Sequence, residues 1–236
     1  VSSNLAYRPQ FVSNNYKEGR KVISSIEDEL LSCEQFAISV AFITMSGITP
    51  LLQTLKELEK RGIPGRILTT DYLTFSDPKA LWKLEEFSNL HVKMYVTDQT
   101  EEGFHTKGYI FKNEEMYRII VGSSNMTLSA LTVNREWNTR IVSTEQGEYA
   151  QSVLTEFEDL WNSSQAVEFE QFIDSYTENY TRNKIIRKQK ELARQEQVPS
   201  LEAYRLQPNS MQTGFINNLQ KIYDAGEDKA LLISAT

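Results

Sequence analysis

Five polar residues stand in an order that suits attack on a phosphodiester. His105 and Lys107 are two apart, Ser123 and Asn125 follow, and Glu136 comes 11 residues after Asn125. A neutral imidazole keeps a lone pair near pH 7 and can attack phosphorus. An ammonium beside it neutralises phosphate charge and stabilises the crowded five-coordinate transition state. The set therefore predicts the catalytic groups of an enzyme that cleaves phosphodiesters.

The last three members of the set can supply hydrogen bonds. The Ser123 hydroxyl and the Asn125 amide can donate to phosphate oxygens. The Glu136 carboxylate can accept from the second imidazole nitrogen, which would fix the tautomer and stabilise the ring once it is charged. The chain has only two His and one Cys, so the sequence offers no cluster of metal ligands. We expect this chemistry to need no metal and no other cofactor.

A second His-x-Lys pair competes with the one at His105. His91, Lys93 and Asp98 match the literal pattern His-x-Lys-x4-Asp better than the residues around His105 do. However, no Gly-Ser-x-Asn segment follows Asp98 at a short spacing. We therefore predict that His91, Lys93 and Tyr95 form the polar face of a strand, and that the site lies at His105.

Apolar periodicity predicts alternating helices and strands. Helices are expected over 19–31, 46–58, from 77 onward, 128–132 and 149–161, and strands over 36–42, 65–70, 90–96, 104–111, 116–121 and 136–143. Residues 1–18 are expected to be an irregular lead-in. The alternation is typical of a layered α/β/α sandwich with a mixed β-sheet, followed here by a helical C-terminal extension. Because residues two apart in a strand share a face, His105 and Lys107 should project together.

Composition favours a cytoplasmic globular protein. The chain is 40% hydrophobic, but it contains no apolar run near 18 residues, so no membrane insertion or secretion is predicted. The single Cys33 rules out an internal disulfide and fits a reducing compartment. A net charge of −7 argues against a broad nonspecific surface for nucleic acid, although a local cleft can still be positive.

The stretch FHTKGYIF and the later stretch IIVGSSNMTLSALTVNREWN, both within 104–138, resemble the phospholipase D superfamily and, within it, the single-motif nuclease branch. By that resemblance His105 would be the nucleophile that forms a phosphohistidine, Lys107 and Asn125 would hold the phosphate, Ser123 would assist, and Glu136 would orient the imidazole. The implied reaction is a metal-independent hydrolysis in two steps.

The resemblance also has consequences for assembly. The longer motif has an Asp where this chain has Lys112, and the single-motif branch commonly lacks that Asp and uses an acid after the Asn. The second step of the reaction needs another His as general acid and base. With one such motif per chain, the resemblance implies a homodimer in which a second subunit completes a shared active site.

The C-terminal third of the chain changes character. Residues 166–198 are predicted to be a helical basic linker that is solvated or, as the alternative, touches DNA; its basic residues are Arg182, Lys184, Arg187, Lys188, Lys190 and Arg194. Residues 199–236 resemble the entry to a DEAD/DEAH-type helicase core, in which Gln212 would contact adenine and 230–234 would be the strand before the phosphate loop. The alternative is an ordinary helix followed by a strand.

These observations lead to one expected function and three alternatives. Residues 1–165 are expected to be a nuclease domain that acts on DNA, with RNA as the other substrate class, in a fragment of a helicase-linked protein that begins at Val1. ATP and Mg²⁺ are expected only for the missing helicase core, and a restriction or defence role fits such a pairing. The alternatives are a catalytically silent module that binds nucleic acid or a partner, a phospholipid hydrolase, and a structural dimerisation unit.

Overall fold

The apolar strand segments pair into one eight-stranded mixed sheet in the computed structural model, which describes residues 8–97, 103–197 and 210–227. The strands are β1 (Gln10–Val12), β2 (Gln35–Val40), β3 (Gly65–Thr70), β4 (Leu90–Tyr95), β5 (Lys107–Asn113), β6 (Met116–Gly122), β7 (Asn138–Thr144) and β8 (Ala166–Glu168). Their order across the sheet is β1-β7-β6-β5-β2-β3-β4-β8. β2, β3 and β4 run parallel, and the other neighbours pair antiparallel.

Helices cover both faces of this sheet. They are α1 (Val22–Ser32), α2 (Met45–Ile48), α3 (Leu52–Lys60), α4 (Pro78–Glu85), α5 (Leu128–Thr132), α6 (Glu148–Trp161) and the start of α7 (Phe169–Gln197). A further helix along the chain is α8 (Ser210–Asp224). Side chains of α1, α3, α4 and the start of α7 share one apolar cluster with the sheet, and α6 belongs to a second cluster. In β2, Ile38 belongs to the first cluster and Ala37 to the second, because successive strand residues face opposite sides. The predicted α/β/α sandwich with a helical C-terminal region is confirmed.

Some element boundaries differ from the predictions. The helix expected over 46–58 is two helices, α2 and α3, separated by a 3-10 turn at Thr49–Leu51. Pro50 lies in that turn and has no N–H to donate, so the α-helical ladder is interrupted there. The irregular lead-in expected over 1–18 is wrong at Gln10–Val12, because β1 pairs with β7 and becomes an edge strand. The predicted start of α4 is confirmed, since Asp77 caps it through the N–H of Lys79 at 3.0 Å and Pro78 follows.

The chain divides into two units, Val1–Ile186 and Arg187–Thr236. In the first unit, Phe169, Phe172, Ile173 and Tyr176 of α7 are buried, so the start of this helix is part of the core. The predicted division at residues 165 and 198, with its linker and helicase assignments, stays a prediction.

The second unit contains α8, which exposes Ile216 and Tyr223. Gln212 lies in α8, and the strand expected over 230–234 lies outside the described residues. In the described ranges, no helix is both long and apolar enough for a membrane span.

Candidate active site

His105 lies in an extended segment immediately before β5, not within the strand as predicted. β5 begins at Lys107, because the preceding residues join the sheet through isolated contacts instead of a continuous ladder. The N–H of Ala41 donates to the Thr106 carbonyl at 3.1 Å, and the hydroxyls of Thr106 and Ser39 are 2.6 Å apart. These contacts hold the segment at the end of β2 and leave the His105 side chain exposed.

The predicted meeting of His105 and Lys107 is present. Lys107 Nζ lies 2.7 Å from His105 Nδ1 and donates to the His105 carbonyl at 2.9 Å. Since an ammonium can only donate, the first contact requires a lone pair on Nδ1, which a neutral imidazole supplies. Burial lowers the pKa of Lys107 below its ordinary value, and the negative charge of Glu136 opposes that shift. The Glu136 carboxylate therefore lies within electrostatic reach of Lys107.

Ser123 and Glu136 meet across the connection between β6 and β7. The Ser123 hydroxyl donates to the Glu136 carboxylate and accepts from the N–H of Trp137 at 3.0 Å. The backbones approach closely here, because a Cβ at Gly122 would lie 2.2 Å from the Trp137 carbonyl oxygen. Glycine at 122 is thus required by the close approach of the two strands. In this state the Glu136 carboxylate bonds to Ser123, and its predicted role in orienting His105 stays a prediction.

Asn125 is held with its amide hydrogens available. Its Oδ1 accepts from the N–H of Phe42 at 3.1 Å, which assigns the oxygen and nitrogen of the amide. The Phe42 ring packs edge-on to His105, with centroids 6.0 Å apart. Within the described residues, Nδ2 of Asn125 makes no hydrogen bond to the protein, so it can donate to a phosphate oxygen as predicted.

The segment that carries Ser123 and Asn125 depends on two residues that sequence reasoning missed. Asn138 is 2% exposed; its Oδ1 accepts from the N–H of Ser124 at 3.2 Å, and its Nδ2 donates to Ser124 Oγ at 2.9 Å and to the Val12 carbonyl at 3.1 Å. The fully buried Tyr109 hydroxyl donates to the Ser124 carbonyl at 3.0 Å, and burial raises its pKa far above the usual value. The sequence carries no local signal for the role of Asn138, because its partners Ser124 and Val12 are distant along the chain.

His91 and Lys93, the competing pair, lie on β4 and both contact the carboxylate of Glu168. His91 Nε2 is 2.6 Å from a carboxylate oxygen of Glu168, and Lys93 Nζ is 2.9 Å from the other oxygen. Lys93 also lies over the Trp161 ring, 4.9 Å from its centroid. Asp98 lies outside the described residues. The expectation of a polar strand face holds for His91 and Lys93, whereas for Tyr95 it is wrong.

Tyr95 is buried, because it packs against Phe104 with ring centroids 5.2 Å apart.

Lys112, at the position of the Asp of the longer motif, forms an ion pair with Glu145 at 2.9 Å. Through the ranges that the structure describes, no group of three or more His, Cys, Asp and Glu side chains could hold a metal ion.

Comparisons with known proteins identify a family by sequence and similar folds by structure. Residues 28–161, more than half of the chain, match the family described as cardiolipin synthase, PLD-like domain. No curated protein matches in a search by sequence. NucT from Helicobacter pylori has a similar structure, with a TM-score of 0.55 at 16% identity over 69% of this chain and 99% of that one. Nuc from Salmonella typhimurium, a phospholipase D family member, gives a TM-score of 0.52 at 19% identity over the same shares of the two chains.

The matched range contains the five residues of the site, and the two structural neighbours share the fold. The residues that position the site, Phe42, Tyr109 and Asn138, also lie within the matched range. This chain belongs to the phospholipase D-like family of phosphodiesterase domains.

Proposed function

We propose that this protein is a metal-independent nuclease that hydrolyses DNA through a covalent phosphohistidine. The observation that carries the proposal is the contact of Lys107 with His105 at 2.7 Å. Phe42 links this pair to Asn125, since its ring packs against His105 and its N–H donates to the Asn125 amide oxygen, and the charge of Glu136 acts on Lys107. These groups offer a nucleophile, a cation and a neutral donor on one surface. That combination suits a phosphodiester, whose charge must be neutralised before a nucleophile can reach phosphorus.

The first step would form a bond between a His105 ring nitrogen and phosphorus and break the bond to the leaving strand. Lys107 and Asn125 would donate to the non-bridging oxygens, where charge accumulates in the transition state. Glu136 would stabilise the positively charged ring of the intermediate. Ser123 holds the Glu136 carboxylate in place at this stage. In the second step water would attack phosphorus, break the P–N bond and restore the imidazole.

The leaving oxygen needs a proton that the single site does not supply. The chain has two histidines, and His91 is engaged with Glu168 on β4. The proposed source is His105 of a second copy, placed by a homodimer with a shared active site. A helicase linkage, with Gln212 as an adenine contact and with ATP and Mg²⁺ bound by the helicase core, remains part of the proposal on sequence resemblance alone.

The test is cleavage of single-stranded and duplex DNA in excess EDTA, with sedimentation of the same preparation. We expect cleavage at an undiminished rate in EDTA and a species with twice the mass of the chain. Cleavage that requires a divalent metal would contradict the mechanism, and a strict monomer that cleaves would contradict the shared site. Tight DNA binding without cleavage would instead indicate a catalytically silent module.

A further inference from the structure

A groove with a cavity volume of about 1000 Å³ opens beside Glu136. One wall is the segment 13–21 between β1 and α1, and the other is the segment 132–137 between α5 and β7. Its lining includes Glu136, the last of the five candidate catalytic residues, and the adjacent Trp137. Asn14 ties the two walls together, because its Nδ2 donates to the carbonyls of Ala130 and Asn134 at 2.8 and 2.7 Å. The groove therefore begins at the candidate site, and hydrogen bonds of the fold hold its two walls together.

The groove is basic, although the chain as a whole has a net charge of −7. Lys17, Arg20, Lys21 and Arg135 line it, against the single carboxylate of Glu136. Arg20 forms an ion pair with Glu18 at 3.3 Å. Among the described residues, no carboxylate lies within ion-pair distance of the other three cations. A local excess of positive charge next to a phosphodiester site is complementary to the phosphates that flank the scissile one.

Two aromatic side chains lie at this groove or next to it, since Trp137 lines the groove and Phe11 packs against Trp137. Trp137 is 74% exposed, although its backbone N–H is fixed on Ser123. Phe11 of β1 is 62% exposed and packs edge-on against Trp137, with ring centroids 5.8 Å apart. An indole and a phenyl ring this exposed lose the hydrophobic stabilisation that burial would give them, and such patches commonly mark binding surfaces. Their contact with each other limits the motion of both rings and presents a ready-made aromatic surface.

Resting on the proposed nuclease function, we infer that this groove binds single-stranded DNA, with an unpaired base stacked on Trp137, against which Phe11 packs, and the neighbouring phosphates on Lys17, Lys21 and Arg135. The aromatic surface is what favours a single strand. In a duplex both faces of each base are already stacked on neighbouring bases, so a flanking indole has no free base to contact. Base-aromatic stacking is tolerant of sequence, because every base has a flat face. The groove would thus select strand form without selecting sequence.

Binding can be tested apart from cleavage by using the full chain with His105→Ala. Fluorescence anisotropy with a labelled 12-nucleotide strand and with its duplex would measure Kd for each. We expect tighter binding of the single strand, and Trp137→Ala on this background should weaken it roughly 10-fold, because stacking contributes about 1–3 kcal/mol per base. The double variant with Lys17→Ala and Lys21→Ala should show a slope of log Kd against log salt concentration that is lower by roughly 0.7 for each lysine removed.

Matched controls come from exposed residues outside the groove. Trp82 is 50% exposed and Lys60 lies at the end of α3, so Trp82→Ala and Lys60→Ala should leave the Kd of the single strand unchanged.

Equal affinity for strand and duplex, with no effect of Trp137→Ala, would overturn the inference. Loss of the dimer in Trp137→Ala with unchanged strand affinity would also overturn it, since the aromatic surface would then lie between two copies. If the wild-type chain fails to cleave DNA while strand binding depends on Trp137, the nuclease proposal fails and the binding inference stands.

Discussion

Replacing His105 with alanine is expected to reduce DNA cleavage by at least about 10⁴-fold, as the loss of other catalytic nucleophiles does. The ring nitrogen of His105 is the atom that would bond to phosphorus, and no neighbouring side chain of the site can replace it. Because the side chain is exposed, its removal should leave the free energy of unfolding nearly unchanged. The measurement is the initial rate of oligonucleotide cleavage, together with a thermal melt of each variant.

The chain supplies its own matched control, because its two histidines both stand two residues before a lysine. His91→Ala removes an exposed contact with Glu168, and such pairs contribute only about 0–1 kcal/mol. Cleavage by this variant should stay within about 2-fold of the wild-type rate. Loss of activity in His91→Ala with retention in His105→Ala would show that the literal motif at His91 is the site after all.

Replacing Asn138 with alanine is expected to destabilise the protein by about 3 kcal/mol and to reduce cleavage strongly. The variant would leave the N–H and hydroxyl of Ser124 and the Val12 carbonyl without this partner, and each buried group left unsatisfied costs about 1–3 kcal/mol. Ser124 lies between Ser123 and Asn125, so a shift of its backbone would displace both. In a chain of this size the melting temperature should fall by roughly 6–12 °C.

Two further variants separate packing from hydrogen bonding at this position. Asn138→Asp keeps the size of the side chain and the acceptor for the Ser124 N–H, but it buries a carboxylate with one oxygen against the Val12 carbonyl, so its stability at neutral pH should lie below that of Asn138→Ala. Asn162→Ala makes the same chemical change at an exposed residue after α6 and should leave cleavage unchanged. If Asn138→Ala melts like the wild type and cleaves DNA at the wild-type rate, the side chain does not position the segment.

The candidate catalytic residues could be proposed from sequence because their evidence is chemical, and their catalytic roles stay predictions. His105, Lys107, Ser123 and Asn125 are residue types with known uses, and their order along the chain is visible without a structure. The layers of the fold could be predicted because long apolar segments bury one face or both, whatever their exact ends. The choice of His105 over His91 followed from the residues that come after each of them in the sequence, and in the structure His91 Nε2 lies 2.6 Å from Glu168.

Other features depend on tertiary contacts that no local pattern carries. β1 and β8 are three residues each, too short for periodicity, and they are strands only because β7 and β4 offer free edges. Tyr95 alternates with apolar residues like an exposed position, yet Phe104 covers it. Asn138 looks like a surface amide in the sequence, and its role depends on Ser124 and Val12 meeting at the end of β7.

The central claim is that His105 bonds to phosphorus during turnover. Rapid quench of the wild-type chain with an oligonucleotide labelled at both ends, into alkaline denaturant that preserves P–N bonds, followed by intact-mass measurement, tests it directly. The account predicts a mass increase equal to one labelled fragment in the wild type and in His91→Ala, lost on mild acid treatment and absent from His105→Ala. An adduct that persists in His105→Ala, or cleavage by the wild type with no adduct at any time during the first turnover, would contradict it.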